Sequence, residues 1–242
     1  MWAYEKIVAF NCYDVNFYLR SMETLECIKT RRSVREYEDK DVPNDIIGVI
    51  LEAATFAPSA GNLQPWEFIV VKDKKKRKLL YKASYYQEHV RDAPVVIVVC
   101  ADLDKASSRY GFRGKNLYCI QDTAAAIQNM LLAAHDIGLG TCWVGAFDEE
   151  EVKLTLGLPD NLRPVALITL GYPKETPKMP RRIPVSNISW LNEYKKVFGY
   201  EPKTTSPLSV VVPEPIVERL KKTKKGKVKP KKFVEFVKRL AK

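Results

Sequence analysis

Four short apolar runs, rich in β-branched residues, recur through the middle of the chain and predict buried strands. They are WEFIVV at 66–71, PVVIVVCA at 94–101, TCWVGAF at 141–147 and PVALITLG at 164–171. Each run is bounded by proline, glycine or charge, as is typical of strands that are covered on both faces. The pattern therefore predicts at least four central strands.

Segments with helical periodicity separate these runs. In the segment 43–57, Pro43 stands at the expected first helical turn, and the apolar residues share one stripe, namely Ile46, Ile47, Ile50, Leu51 and Ala54. The segment 116–138 spaces its apolar residues by three or four and stops at Gly138. In the segment 148–159, Asp148 can cap a helix with acids in its first turn. Strands that alternate with helices indicate an α/β or α+β fold.

The net charge of +11 is concentrated at the C-terminus. Residues 203–242 hold 13 of the 40 Lys and Arg and 3 of the 29 Asp and Glu, which leaves 27 against 26 in the first 202 residues. In this tail, the lysine-rich run 221–232 is charged enough to stay solvated, and residues 233–242 can form a short amphipathic helix. We expect an N-terminal extension over 1–21, one domain over 22–202 and a basic extension over 203–242. Met22 is an alternative start to Met1.

Cysteine and histidine usage indicates a reduced, cytoplasmic protein without a metal. The five cysteines, at 12, 27, 100, 119 and 142, show no close pairing, and the only histidines are His89 and His135. No apolar run approaches the roughly 20 residues that span a bilayer, and the first twenty residues do not resemble a secretory signal, so we expect no membrane partner.

The segment TRRSVREY at 30–37 is a candidate anion site. It places Arg31, Arg32 and Arg35 within five positions, in a part of the chain that is almost neutral overall. Proteins that grip polyanions need basic groups spread over a long surface, whereas one phosphate needs only a compact cluster. Arginine suits a phosphate because it presents planar paired donors and keeps its charge.

The segment APSAGNLQPW at 57–66 is a candidate binding loop. Gly61 lets its backbone come close to a flat ligand, and the amides of Asn62 and Gln64 stand beside it. An amide offers both a donor and an acceptor, which suits the edge of a heterocycle such as a flavin or pyrimidine. A loop that is merely rich in turn formers explains this stretch equally well.

Together with the segments 137–159 (IGLGTCWVGAFDEEEVKLTLGLP) and 180–184 (PRRIP), these two motifs resemble the nitroreductase family of FMN-dependent oxidoreductases. The resemblance runs from about residue 23 to 190, and the four motifs keep the family's order and spacing. It implies an α+β fold, a three-layer α/β sandwich with a central mixed sheet flanked by helices. It also implies that FMN lies at a homodimer interface.

The resemblance assigns a set of cofactor-binding residues. Arg31, Arg32, Ser33 and Arg35 match the segment that holds the FMN phosphate and ribityl chain, and Arg181 and Arg182 match a late basic pair that closes on that phosphate. The loop at Pro58, Ser59, Ala60 and Asn62 matches one that the second subunit contributes. Val144 and Gly145 match a strand end whose backbone N–H meets the reactive flavin nitrogen, and Gln87 lies where members place a polar contact to the ring. No side-chain nucleophile or base is implied, and we accordingly expect His89, His135 and the cysteines to be structural or surface residues rather than catalytic ones.

The implied activity is a ping-pong cycle in which NADH or NADPH reduces FMN and an electrophile such as a nitroaromatic or quinone is then reduced. The physiological acceptor and the preferred nicotinamide stay open. So does an FMN-dependent relative with another reaction, such as dehalogenation, flavin fragmentation or a deazaflavin-linked step. A nucleic-acid-binding protein acting through the tail is a further alternative, although the run 221–232 has no aromatic residue for stacking on bases.

Overall fold

The computed structural model of this chain describes residues 22–199. The extension predicted over 1–21 and the tail from residue 203, with its helix over 233–242, lie outside the described residues. The chain divides into two compact units between Pro177 and Lys178. The first unit carries the sheet and the helices described next.

Four antiparallel strands form the sheet. They are β1 (Trp66–Val71), β2 (Val95–Asp102), β3 (Gly140–Val144) and β4 (Leu162–Gly171), in the order β1-β2-β4-β3. Val71 pairs with Val96, so the connection between β1 and β2 returns the chain to the end of the sheet where β1 stops. We expected a sheet with both parallel and antiparallel pairing. Within residues 22–199, parallel pairing is confined to a bridge between Ser33 and Thr141 at the edge of β3.

Seven α-helices lie in the described part of the chain: α1 (Thr24–Thr30), α2 (Asn44–Thr55), α3 (Lys74–Ala83), α4 (Glu88–Asp92), α5 (Leu103–Arg113), α6 (Cys119–Asp136) and α7 (Glu149–Leu156). A π-helical turn, Gly114–Tyr118, joins α5 to α6. The three predicted helices, α2, α6 and α7, are confirmed to within three residues at each end. Asp148 caps α7 by accepting from the backbone N–H groups of Glu150 and Glu151.

The sheet is buried on both faces, which confirms the three-layer α+β arrangement. Val95, Ile97 and Val99 of β2 pack with α2 and α6 in one core. The intervening residues Val96 and Val98 pack on the opposite face with a second core that includes α3, α4 and α7. Because successive side chains of a strand point to opposite faces, one uninterrupted apolar run fills both cores.

The other four helices were not predicted, because their apolar positions are few. Helix α5 buries Ala106 alone, and α3 buries Leu80 and Ala83 together with a charged residue, Arg77. The Arg77 guanidinium is held by carbonyl groups distant in sequence, among them that of Arg91. An arginine within a polar stretch gives no sign that it will be buried.

Candidate functional site

A cleft of about 220 Å³ lies between the segment that follows α1 and the turn that leads into β3. Its walls include Arg31, Arg32, His135, Gly138, Thr141 and Pro173. The two arginines are the only lysine or arginine residues in the part of this lining that the structure describes, and both are half-buried. The cleft therefore combines fixed positive charge with backbone from the start of β3.

Buried residues on either side of the arginines fix this segment. The Val34 N–H donates to the Thr141 carbonyl at 2.9 Å, and the Val34 side chain is buried against Gly140. A Cβ at position 140 would lie 2.8 Å from the Val34 Cβ, so β3 must begin with glycine for the segment to approach. Further along, the buried Tyr37 hydroxyl donates to the Val34 carbonyl at 2.7 Å and lies 2.6 Å from Thr169 Oγ1. Burial raises the pKa of Tyr37, so the phenol stays neutral.

The turn from α6 into β3 forms the opposite wall of the cleft. Gly138 has φ +80°, the left-handed conformation that glycine adopts most readily, and its N–H donates to the His135 carbonyl at 3.0 Å. The Leu139 N–H donates to the Ala134 carbonyl at 2.8 Å. This pair of bonds is a Schellman motif, and it confirms Gly138 as the predicted stop of the helix.

Each residue of the predicted arginine cluster has a distinct position. Arg32 Nη1 donates to the carbonyls of Lys29 at 2.7 Å and Arg31 at 2.8 Å, which covers the C-terminal end of α1. Ser33 takes part in the bridge to Thr141 through its backbone. Arg35 is exposed and does not line the cleft; its charge acts on His89 of α4 and Cys142 of β3. The cluster therefore contributes two cations to the cleft rather than three.

Val144 and Gly145 lie at the far end of β3 from the cleft. Val144 is buried and Gly145 is exposed. At about 3.3 Å per residue, β3 separates them from the arginine segment by roughly 13 Å. Gln87 Nε2 donates to the Ala146 carbonyl at 2.9 Å and to the Ser84 carbonyl at 3.0 Å. The Gln87 amide N–H groups thus hold the segment after β3, and the contact of Gln87 with a flavin ring stays a prediction.

The loop that contains Pro58, Ser59, Ala60 and Asn62 is held in a strained conformation. Asn62 (φ +57°) and Gln64 (φ +51°) adopt the left-handed region that side chains other than glycine seldom occupy. Ser59 Oγ accepts from the Gln64 N–H at 3.0 Å. The Ala60 N–H donates at 3.0 Å to Oδ1 of Asp122, a buried residue of α6. Burial raises the pKa of the Asp122 carboxyl.

The fold of a single chain does not bring this loop to the cleft. The loop is anchored at Asp122 near the start of α6, whereas His135 near its end lines the cleft. Thirteen residues at 1.5 Å per residue place the two positions about 20 Å apart along the helix. The predicted binding residues therefore form two separate groups on the same chain.

Arg181 and Arg182 belong to the second unit, which begins at Lys178. Both are exposed. In that unit Val185–Asn187 form a 3₁₀ turn, and the rings of Trp190 and Tyr194 meet edge to face with centroids 5.7 Å apart. The contact of Arg181 and Arg182 with a phosphate stays a prediction.

Two polar residues take part in this geometry in ways that sequence reasoning did not anticipate: Asp122 was passed over, and His135 was expected to be a structural or surface residue. Asp122 lies among the core-facing residues of α6, and His135 lies at the cleft. The available signal was a polar residue at or beside a position where the helical period predicts an apolar one. That signal alone does not distinguish a satisfied structural residue from a functional one.

The described residues offer neither a metal site nor a membrane-spanning helix. They contain no cluster of three or more His, Cys, Asp or Glu residues that could hold a metal, and no helix long and apolar enough to cross a membrane. Cys27, Cys100, Cys119 and Cys142 are buried free thiols. Burial raises the pKa of Cys100 to about 12, so that thiol is unreactive at neutral pH.

Comparison with known proteins identifies the family. The sequence pattern of the Nitroreductase family matches residues 28–87 and 79–172, which is more than half of the chain. The chain belongs to the Nitroreductase family. The resemblance that the four motifs suggested is thereby confirmed.

Similar proteins extend the match over most of the described residues. A protein of Methanothermobacter thermautotrophicus, whose name pairs NADH dehydrogenase with NAD(P)H nitroreductase, is 41% identical over 160 residues, 64% of this chain and 80% of that protein. The FMN reductase (NADPH) of Bacillus subtilis is 27% identical over 184 residues, 71% of this chain and 74% of that protein. The crystal structure of nitroreductase A from Vibrio parahaemolyticus superposes with a TM-score of 0.67 at 29% identity, covering 73% of this chain and 78% of that one.

Proposed function

We propose that this nitroreductase takes hydride from NADH or NADPH and passes it, by a ping-pong mechanism with FMN, to an electrophile such as a nitroaromatic or quinone. The general activity within this proposal, that of an oxidoreductase that uses NAD(P)H and FMN, rests on family membership and on the names of the relatives. The observation that carries the proposal is the cleft, which places Arg31 and Arg32 at one end of β3 while the exposed Gly145 stands at the other.

The donor set of the cleft fits the phosphate of FMN. Two guanidinium groups provide paired donors and a fixed positive charge. The volume of about 220 Å³ is below the roughly 300–1,000 Å³ of sites that enclose a whole small molecule, so the cleft suits one end of a longer ligand. FMN supplies the hydride chemistry when bound, and the chain supplies position and electrostatics.

The far end of β3 suits the flat part of such a ligand. Gly145 is exposed, and a Cβ placed there would meet nothing closer than Trp143 Nε1, at 3.7 Å. A flat ligand can therefore approach this backbone and accept from the Gly145 N–H. Gln87 holds the next residue, Ala146, and so keeps that N–H in place. Val144 anchors the strand end in the core from the other side.

The complete site belongs to a homodimer in this proposal. The loop at Pro58–Asn62 lies about 20 Å along α6 from the arginines of its own chain, so the loop that completes a site comes from a second copy. Phe56, two residues before the loop begins, is 79% exposed. On α1, Leu25 and Ile28 are also exposed. Exposed apolar groups of this kind favour burial against another protein surface.

The buried free thiols fit the cytoplasm, because reducing compartments keep thiols from forming disulfides. We propose a cytoplasmic location for this protein.

We also propose that Arg35, Arg181 and Arg182 are further cations of the cofactor site. We further propose that the FMN-binding domain spans residues 22–202, as the sequence predicts.

Anaerobic reduction tests the activity. The purified protein should be yellow, and NADH or NADPH should bleach the flavin absorbance without oxygen, after which a panel of nitroaromatics and quinones should restore it.

Arg32→Ala should raise the Kd for FMN about 10- to 100-fold, since hydrogen bonds to a charged group contribute about 1.5–3 kcal/mol. Arg91→Ala is the matched control, because this exposed arginine pairs with Asp92 outside the cleft.

Two results would overturn the proposal. One is a colourless protein that cannot be reconstituted with FMN. The other is equal FMN affinity in Arg32→Ala and the wild type. Because Arg32 also covers the end of α1, the unfolding temperature of each variant is measured alongside.

A further inference from the structure

His135 is the third charged or chargeable residue of the cleft that holds Arg31 and Arg32. It stands on the last turn of α6, directly before the Schellman turn that forms the opposite wall. The side chain is half-buried. A phosphate seated between the two arginines would therefore lie in the same small volume as this imidazole.

The hydrogen bonds around Thr30 determine which ring nitrogen carries the proton. Thr30 Oγ1 donates to the Glu26 carbonyl at 2.7 Å, so its single hydrogen is used. His135 Nε2 lies 2.8 Å from the same oxygen and must then be the donor. In the neutral ring Nδ1 is consequently unprotonated, and among residues 22–199 it has no hydrogen-bond partner.

The charges that face His135 keep the ring neutral in the protein without ligand. Burial lowers the pKa of His135, and the guanidinium groups of Arg31 and Arg32 lower it further. Asp136, the neighbouring residue on α6, acts in the opposite direction, but its carboxylate also accepts the Met22 N–H at 2.6 Å. The contact from α1 is the neutral hydroxyl of Thr30.

An unprotonated Nδ1 presents a lone pair and therefore repels the oxygen of a phosphate. With a proton on Nδ1, the ring donates one hydrogen bond to the phosphate and keeps the other to Thr30. The negative charge of the phosphate offsets that of the two guanidinium groups, which otherwise oppose a third cation.

We propose that His135 is a phosphate-binding residue of the FMN site, and that one proton from solvent adds to Nδ1 when the phosphate binds. This inference rests on the proposed function, since it takes FMN to be the ligand of the cleft. No bond other than the new N–H forms, and the proton leaves again when the phosphate leaves.

The pH dependence of FMN affinity tests the proton uptake. In the wild type, lowering the pH from 8.0 to 6.5 should lower the Kd by up to about tenfold per pH unit, because one proton accompanies the ligand. His135→Gln cannot gain a proton but can still donate an amide N–H to Thr30, so its Kd should change less with pH. The FMN phosphate itself titrates near pH 6, which affects both proteins equally. Riboflavin, which lacks the phosphate, should show no difference in pH slope between the two proteins.

Nitrogen NMR gives a second, direct readout. The chain has only two histidines, so His135→Gln assigns the imidazole signals by subtraction. At pH 7 the His135 ring should be the neutral Nε2–H tautomer in the free protein and protonated on both nitrogens in the FMN complex.

The outcomes separate this inference from the activity on which it rests. Parallel pH profiles in the wild type and His135→Gln, or a neutral His135 ring in the FMN complex, would overturn the role of His135 and leave the FMN site intact. Failure of the wild type to bind FMN at any pH would overturn both.

Discussion

At the scale of single residues, a buried carboxylate holds the strained loop of the proposed site. Asp122 is 7% exposed and accepts one hydrogen bond, from the Ala60 N–H. The adjoining residues include Asn62 and Gln64, both with positive φ, and such backbone persists only where its surroundings hold it. The folded chain thus keeps a carboxylate in a poorly solvated place at the base of this loop.

Asp122→Asn should be at least as stable as the wild type at pH 7. Burial raises the pKa of the Asp122 carboxyl, so the folded protein binds the carboxyl proton more tightly than the unfolded chain does. Ionisation of Asp122 at pH 7 therefore lowers the free energy of unfolding. The amide removes that cost and still accepts from Ala60. The advantage should shrink as the pH falls toward the ordinary value for aspartate, which urea unfolding at pH 7 and 4.5 measures.

Asp122→Ala is the contrasting variant. It leaves the Ala60 N–H without an acceptor and should lose about 1–3 kcal/mol relative to Asp122→Asn. If Asp122→Asn is itself less stable than the wild type at pH 7, then the negative charge stabilises the loop, contrary to this account.

At the scale of elements, β3 positions both ends of the proposed site. Its first residue, Gly140, meets the arginine segment through Val34, and its last residue, Val144, precedes the exposed Gly145. Strand β3 is an edge strand, so one side of its backbone is available to the arginine segment. A change at Gly140 should therefore affect cofactor binding without touching the cofactor.

Gly140→Ala should weaken FMN binding and destabilise the fold. The new Cβ would lie 2.8–2.9 Å from three carbon atoms of Val34, which forces the arginine segment away from β3. Overpacking of this kind typically costs about 1–3 kcal/mol. Thermal unfolding and FMN titration measure the two effects.

The matched control is Gly48→Ala on α2, where a Cβ meets nothing within 4 Å. Alanine in a helix interior is more favourable than glycine by about 0.5–1 kcal/mol. This variant should therefore be more stable than the wild type, with unchanged FMN affinity. Equal effects of the two substitutions would show that the approach of Val34 is not what requires glycine at position 140.

At the scale of the whole molecule, the proposed function requires a dimer to complete the site. The arginines and the loop are separated by most of the length of α6, which is a rigid element packed in the core. No small hinge within a chain can close a distance of about 20 Å along such a helix.

Complementation between variants tests this arrangement. Arg32→Ala damages the cleft, and Gly61→Val damages the loop, because Gly61 has φ +57° and its Cβ would lie 2.6 Å from the Tyr110 hydroxyl. In a heterodimer of the two variants, one site keeps both an intact cleft and an intact loop if the loop comes from the partner. Purified heterodimers carrying two different tags should then bind one FMN, whereas each homodimer binds none at the same concentration. A heterodimer without FMN would show that cleft and loop of the same chain work together.

Sequence patterns predicted the parts of this fold in which local and tertiary preferences agree. The run at 66–71 matches β1 at both ends, and Asp148 and Gly138 mark helix ends as expected. The patterns missed α3 and α5, in which polar residues dominate and the buried apolar residues number two and one, respectively. These helices depend on contacts with distant segments, such as the carbonyl groups around Arg77.

The sequence by itself determined the strands and the compact charge of the arginine segment, because each depends on residues that are neighbours in the chain. It determined the family through the order and spacing of four motifs. Only the tertiary structure decided which of those residues share a site. It placed His135 beside the arginines, left Arg35 outside the cleft and set the Asn62 loop at the other end of α6. The reason is that an 18-residue helix fixes the distance between its two ends, whereas the order of motifs along a chain carries no distance at all.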